Sequence, residues 1–291
     1  MDASPLSRKN IFELLRDIVR SYSLGYLYVP LGKCANTEVK RMLWQAHRAD
    51  GYKPPIPKQY FMVHNFGWKK TAGLEPTPWD HYQRKDFGQF IYDMTSARGL
   101  YKFSIVRNPY SRLLSGYKDK ILNGPPLTEA RLAKFCLPSA PSSFSEFARM
   151  VCSAPDSQRD LHWSGQTYKL AADFFDYDYI GHVEHFEEAK LHLANTLGLS
   201  FKAMSKPPAH QTNASDSLLE YYDDETAGLI FSTFRRDFEM FGYSEDITKL
   251  APVRERQPTG QYADAILPYR KQIARRIDLP KLLTVDAPAT V

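Results

Sequence analysis

Two cationic motifs carry most of the chemistry that this 291-residue chain offers. The first is Gly32-Lys33-Cys34-Ala35-Asn36-Thr37-Glu38, set just ahead of an apolar stripe at Val39, Met42, Leu43 and Ala46. A lysine ammonium in a loop, beside the unpaired N–H groups of a helix start, makes an anion site. The second runs from Arg107 through Asn108-Pro109-Tyr110-Ser111-Arg112 to Ser115. A strand-end guanidinium gives bidentate, charge-assisted bonds to a phosphate, and a serine hydroxyl facing the same crevice adds a directed donor. Arg112 and Ser115 continue a polar line from Asn108 at helical spacing. Two histidines, His64 and His162, are matched to proton transfer near neutral pH.

Several chemistries are excluded. The Lys33 loop lacks the first glycine of a Gly-x-x-x-x-Gly-Lys-Ser/Thr nucleotide loop, and Cys34 stands where its hydroxyl residue belongs. A thiol phosphatase needs Cys and Arg cupping one oxyanion, and Cys34 to Arg41 misses that spacing by one residue. No Asp/Glu/His cluster suggests a metal. The net charge of +5 favours anionic ligands, yet the basic residues form no long runs, so no nucleic-acid partner is expected.

The elements that must position these groups follow from pattern. Tyr26 to Val29, between Gly25 and Pro30, suits a buried strand, and a helix follows with Asn36 or Thr37 as its cap. Tyr60 to Val63 reads as a strand ending at His64. Phe87, Phe90, Ile91 and Met94 share a helical face. Tyr101 to Val106 is a strand that delivers Arg107, and Asn108 caps a helix with Pro109 at its first position. Phe144 to Met150 is helical. Tyr177 to Val183 is a strand ending at Glu184, and residues 186–197 are a helix stopped by Gly198. A long helical region spans Ser217 to Phe241, with Phe231, Phe234 and Phe238 as core anchors. At the N-terminus Ile11, Leu14, Leu15, Ile18 and Val19 predict a helix.

Strands alternating with helices predict an α/β fold with a central, mostly parallel sheet flanked by helices. Residues 1–244 read as one domain and 245–291 as a basic, partly helical extension. Arg270, Lys271, Arg275 and Arg276 in that extension could touch a membrane surface. No run of apolar residues is long enough to span a bilayer, which predicts a soluble form. Cys34, Cys136 and Cys152 are sparse and odd in number, which fits a reducing compartment and predicts a cytoplasmic location.

Gly-Lys-Cys-Ala-Asn-Thr-Glu-Val-Lys-Arg resembles the 5′-phosphosulfate loop of the carbohydrate sulfotransferases. Arg107-Asn-Pro-Tyr-x-Arg-Leu-x-Ser-x-Tyr-x-x-Lys resembles their 3′-phosphate motif. His162-Trp163 with Gln166, Tyr179-Ile180-Gly181 with Glu184, and Tyr221-Tyr222 through Asp237-Phe238 to Phe241-Gly242-Tyr243 resemble the chondroitin and HNK-1-type branch in order. The resemblance covers residues 25–243. Two positions depart from it: Leu31-Gly32 replaces the proline before the lysine, and Asn108 replaces an acidic residue.

The resemblance implies a P-loop-like sulfotransferase fold. It implies 3′-phosphoadenosine 5′-phosphosulfate as donor, no metal, and a carbohydrate or glycoconjugate hydroxyl as acceptor. Lys33, Cys34, Ala35, Asn36, Thr37 and Glu38 would then line the 5′-phosphosulfate, and Arg107 and Ser115 the 3′-phosphate. Lys33 is the expected electrostatic catalyst. His64 is the first candidate base, since the uronyl 2-O-sulfotransferases place one there, and His162 is the second. Relatives of this kind in eukaryotes work in the Golgi lumen, the alternative location if the chain is a piece of a longer, anchored enzyme. Trp68, Lys69, Lys70, Trp79 and His81 are candidates for an acceptor wall. The competing readings are a small-molecule kinase and a non-catalytic nucleotide- or glycan-binding module.

Overall fold

The computed structural model of the protein describes residues 18–49, 82, 86–95, 100–199 and 217–252. Four strands form one sheet in the order β1-β2-β3-β4 among these residues. Strand β1 (Val19–Ser21) runs antiparallel to β2 (Tyr26–Tyr28). Strands β3 (Tyr101–Val106) and β4 (Tyr179–His182) continue the sheet in parallel. Helix α1 (Asn36–Ala49) follows β2, and α2 (Phe87–Thr95) precedes β3. After β3 come α3 (Pro109–Tyr117), a π-helical turn at Lys118–Leu122, α4 (Glu129–Phe135), α5 (Phe144–Ser153) and α6 (Gln166–Lys169). After β4 come α7 (Phe186–Leu197), α8 (Leu218–Tyr221), α9 (Asp224–Thr233) and α10 (Arg235–Phe241).

The sheet is buried on both faces because its residues alternate. Tyr26, Tyr28, Phe103 and Ile105 pack with Val39, Met42 and Leu43 of α1 and with Ala189 and Leu193 of α7. Leu27, Val106 and Ile180 pack on the other side with Phe90 of α2, Leu113 and Leu114 of α3, and Phe147 of α5. Gly181 lets α7 lie this close. A Cβ there would stand 2.6 Å from Ile105 Cδ1 and 3.0 Å from Ala189 Cβ. The α/β reading holds, and so does the expected order of β2, α1, α2, β3, α3, α5, β4 and α7.

Three expectations are corrected. Ile18 and Val19 do not continue a helix. Val19 sits in β1 opposite Tyr28, and the chain reverses through a turn in which Gly25 has φ +70° and the Ser21 hydroxyl accepts the Leu24 N–H at 3.1 Å. Pairing with the exposed edge of β2 outweighs the local helical stripe. Asn36 and Thr37 lie inside the first turn of α1 rather than capping it, and the first helical bond runs from Val39 N–H to Ala35 O at 3.0 Å.

The stretch from Ser217 to Phe241 is three short helices. Tyr222 is extended, and the Asp223 side chain caps the next helix by accepting the Thr226 N–H at 2.7 Å. A strong cap signal inside an apolar pattern breaks the helix there. Phe234 and Phe238 are buried as expected, whereas Phe231 is only partly buried against the core. The expected strand at 60–63 and most of the basic extension, including Arg270, Lys271, Arg275 and Arg276, lie outside the described residues. The start of that extension runs against α3, where Tyr110 OH donates to Glu245 O at 2.8 Å and Asn108 Nδ2 to Leu250 O at 3.2 Å.

Candidate functional site

The two cationic motifs meet. Strands β2 and β3 are parallel neighbours, so the loops leaving their carboxyl ends open on one side of the sheet, where α/β folds bind ligands. Arg107 Nη1 donates to the backbone carbonyl of Lys33 at 3.3 Å, and Arg107 Nε donates to Ser111 Oγ at 2.9 Å. The guanidinium is thereby aimed along the Lys33 loop. Burial lowers the pKa of Arg107, and the Glu184 carboxylate opposes that shift.

The loop itself is bent unusually. Lys33 has φ +67° and Ala35 has φ +52°. Few residues other than glycine adopt this region, and left-handed residues next to a helix start turn successive N–H groups toward one point. The Lys33 ammonium meets Asp119 Oδ2 at 2.9 Å, and the lysine side chain is 14% exposed. Burial lowers its pKa, Asp119 resists the shift, and Lys120 and Arg107 add to it. Asn36 Oδ1 is buried with no hydrogen-bond partner among the described residues, while the Glu38 carboxylate is engaged by Arg41 at 2.8 Å.

A buried scaffold supports the loop from beneath. Cys34 is fully buried and its thiol points at Gln166 Oε1 (3.3 Å), so only its backbone is left for a ligand. Burial pushes the thiol up to about 11, and a buried, protonated thiol is a poor nucleophile. Gln166 also accepts the Arg107 N–H at 2.9 Å and donates to the Arg107 carbonyl at 2.8 Å. Asp237 in turn accepts the Gln166 and Thr167 N–H groups at 2.7 and 2.8 Å. Glu184 accepts the Asn108 N–H and the Tyr243 hydroxyl, both at 2.9 Å. The downstream motifs of the sequence therefore converge on the underside of the site as supports.

His162 stands against the same loop. The loop approaches so closely that a Cβ on Gly32 would lie 3.2 Å from His162 Cα and 3.6 Å from its Cδ2. Arg112 explains the approach. Its Nε donates to Gly32 O (3.0 Å), its Nη1 to Ser164 O (2.7 Å) and its Nη2 to Leu161 O (3.3 Å). His162 Nδ1 pairs with Asp160 Oδ1 at 2.5 Å, and the imidazole is 31% exposed. A carboxylate on Nδ1 fixes the ring and leaves Nε2 as the proton acceptor.

Ser115 is buried on α3. His64 and the candidate wall from Trp68 to His81 lie outside the described residues. Sequence reasoning missed Asp119, Asp160 and the clasp role of Arg112. The signals were present: Asp160 precedes His162 in an Asp-x-His pattern, and Asp119 continues the line of Asn108, Arg112 and Ser115. Among the described residues no group of three or more His, Cys, Asp or Glu could hold a metal ion, and no helix is long and apolar enough to cross a membrane.

Comparison with known proteins gives a consistent set of matches. A model described as sulfotransferase family matches residues 17–244. Carbohydrate sulfotransferase 10 of Xenopus laevis is 28% identical over 170 residues, covering 50% of this chain and 48% of the relative. Carbohydrate sulfotransferase 12 of Mus musculus is 25% identical over 257 residues, covering 75% of this chain and 57% of the relative. The chain thus spans about half the length of the curated relatives it matches. No solved structure matches it. The cytoplasmic location expected from sparse cysteines is overturned by these matches, since the relatives are named carbohydrate sulfotransferases, the kind for which the resemblance implied the Golgi lumen.

Proposed function

This chain belongs to the sulfotransferase family, and from that premise we propose that it moves a sulfuryl group from 3′-phosphoadenosine 5′-phosphosulfate to a hydroxyl of a carbohydrate or glycoconjugate. The observation that carries the reading is the contact of Arg107 with the Lys33 carbonyl, which joins two cationic motifs into one crevice. A donor with a separate phosphate and phosphosulfate needs two such points. The donor set fits it: an ammonium, a guanidinium and a bent loop at a helix start all favour anionic oxygens. The carbohydrate acceptor is supported by the names of the matched relatives. We take residues 1–244 as the catalytic domain and 245–291 as an extension of it.

In the reaction the acceptor oxygen forms a bond to sulfur while the sulfur bond to the 5′-phosphate oxygen breaks. The products are a sulfate ester and 3′,5′-bisphosphoadenosine, and the hydroxyl proton passes to a base. Negative charge grows on the departing phosphate oxygen, and Lys33 is the cation beside it. Such preorganised stabilisation is usually the largest catalytic contribution. Arg107 and Ser115 hold the 3′-phosphate. The backbone of residues 33–37 lines the 5′ side, with Thr37 as a hydrogen-bond donor.

We assign the base to His162, because Asp160 orients it and Gly32 brings it to the Lys33 loop. His64 is the competing candidate. The test is incubation with a donor carrying radioactive sulfur and a panel of desulfated glycans. Transfer of label that Lys33→Ala abolishes supports the proposal. Absence of label on every glycan, together with no binding of 3′,5′-bisphosphoadenosine, contradicts it.

A further inference from the structure

Asp119 holds the cation assigned to the leaving oxygen. Its Oδ2 lies 2.9 Å from Lys33 Nζ and equally 2.9 Å from Lys120 Nζ. By sequence spacing it continues the series Asn108, Arg112 and Ser115, four residues beyond Ser115. The helix changes there from α to π over Lys118–Leu122, and Asn123 N–H bonds to Lys118 O at 2.9 Å. Short π segments inside α-helices are frequent at functional sites, because they re-aim the side chains of one turn.

We propose that Asp119 is a resident counter-ion of Lys33, which it holds in the empty site and yields to the phosphosulfate of the donor. The idea rests on the reading of Lys33 as the cation that faces the leaving oxygen. Charged groups that act on Lys33 include Asp119, Lys120 and Arg107. Without Asp119 three cations would confront one another around an empty anion site. With it, the carboxylate opposes the lowering that burial imposes on Lys33 and holds the ammonium at 2.9 Å.

Donor binding then replaces one anion by another. Asp119 is not stranded when Lys33 leaves it, because Lys120 remains on the same oxygen and the carboxylate is 30% exposed. Burial by itself would raise the Asp119 carboxyl, and the hydrogen bonds and charges of Lys120 and Lys33 together outweigh it and bring the group down to about 2. Asp119 is thus a positioning residue. It acts through Lys33, and it competes with every anion that Lys33 would bind.

The test compares wild type with Asp119→Asn, Asp119→Ala and the conservative Asp119→Glu. Binding of 3′,5′-bisphosphoadenosine is measured by calorimetry, and kcat and KM of label transfer are measured across pH. Removing the competitor should tighten bisphosphate binding in Asp119→Asn about fivefold, the low end of coupling between linked sites. Loss of the carboxylate should also move the alkaline limb of kcat/KM, which reports the donor-free enzyme, down by about one pH unit, the usual effect of an adjacent opposite charge. Asp119→Glu should restore that limb.

Unchanged bisphosphate affinity and an unchanged alkaline limb in both Asp119→Asn and Asp119→Ala would overturn the proposal while leaving the sulfotransferase reading intact. If wild type neither binds the bisphosphate nor transfers label, the reading itself fails, and Asp119 has no donor to yield to.

Discussion

Arg112 Nε donates to the carbonyl of Gly32 at 3.0 Å, and the same guanidinium holds two carbonyls of the His162 loop. One buried cation, 3% exposed, thereby sets the distance between the candidate donor loop and the candidate base. Truncation would leave three carbonyls without their donor. Arg112→Ala should lower stability by about 3 kcal/mol, the range for buried groups losing charged partners. Arg112→Lys should recover only part of it, because an ammonium cannot match the planar fork. Urea unfolding of both variants checks this.

Gly32 is required for closeness, not for an unusual backbone angle. A methyl group there meets His162 Cα and Leu161 O, both at 3.2 Å, and neither backbone atom yields cheaply. Gly32→Ala should push the two loops apart. We expect kcat to fall at least tenfold with a stability loss of about 1 kcal/mol, since small displacements of reacting groups are costly. Steady-state kinetics beside thermal unfolding separate the two effects.

The base assignment predicts a hierarchy. His162→Ala should lower kcat about 10²- to 10⁴-fold, the usual range for general-base loss. Asp160→Asn should lose less and should change the pH profile of kcat, because the ring loses its orienting carboxylate. His64→Ala should keep most activity. The reverse order for the two histidines would transfer the role to His64.

Much of this arrangement was legible in the sequence. Lys33 and Arg107 announced themselves through residue type at strand exits, and Pro109 behind the Asn108 cap fixed the start of α3. The structural supports were harder to see. Arg112 read only as one member of a polar line with Asn108 and Ser115, but its partners are backbone carbonyls, which carry no sequence signature. Val19 joined a strand because β2 had an edge to cover, a tertiary cause that local periodicity does not contain. The long helix from Ser217 was misread because Asp223 acts as a cap within an apolar pattern that otherwise runs on.

Cys34 gives a prediction about pH. Burial holds its thiol protonated up to about 11, against 9.0 for an unperturbed thiol. Above the unperturbed value the unfolded chain ionises first, so stability should fall as pH rises between these values. Cys34→Ser should lack that part of the decline when unfolding is compared near pH 8 and pH 10. In the native protein near pH 8 a thiol alkylator should modify exposed Cys136 and leave Cys34 unlabelled until denaturant is added, as peptide mass spectrometry would read.

The two-point grip on the donor is tested most directly by titrating 3′,5′-bisphosphoadenosine into wild type, Arg107→Ala and Ser115→Ala in a calorimeter. One saturable site should appear in wild type. Arg107→Ala should weaken it at least tenfold, as loss of a charge-assisted pair implies, and Ser115→Ala should weaken it less. Absence of binding in wild type, or equal affinity in all three proteins, would contradict the account.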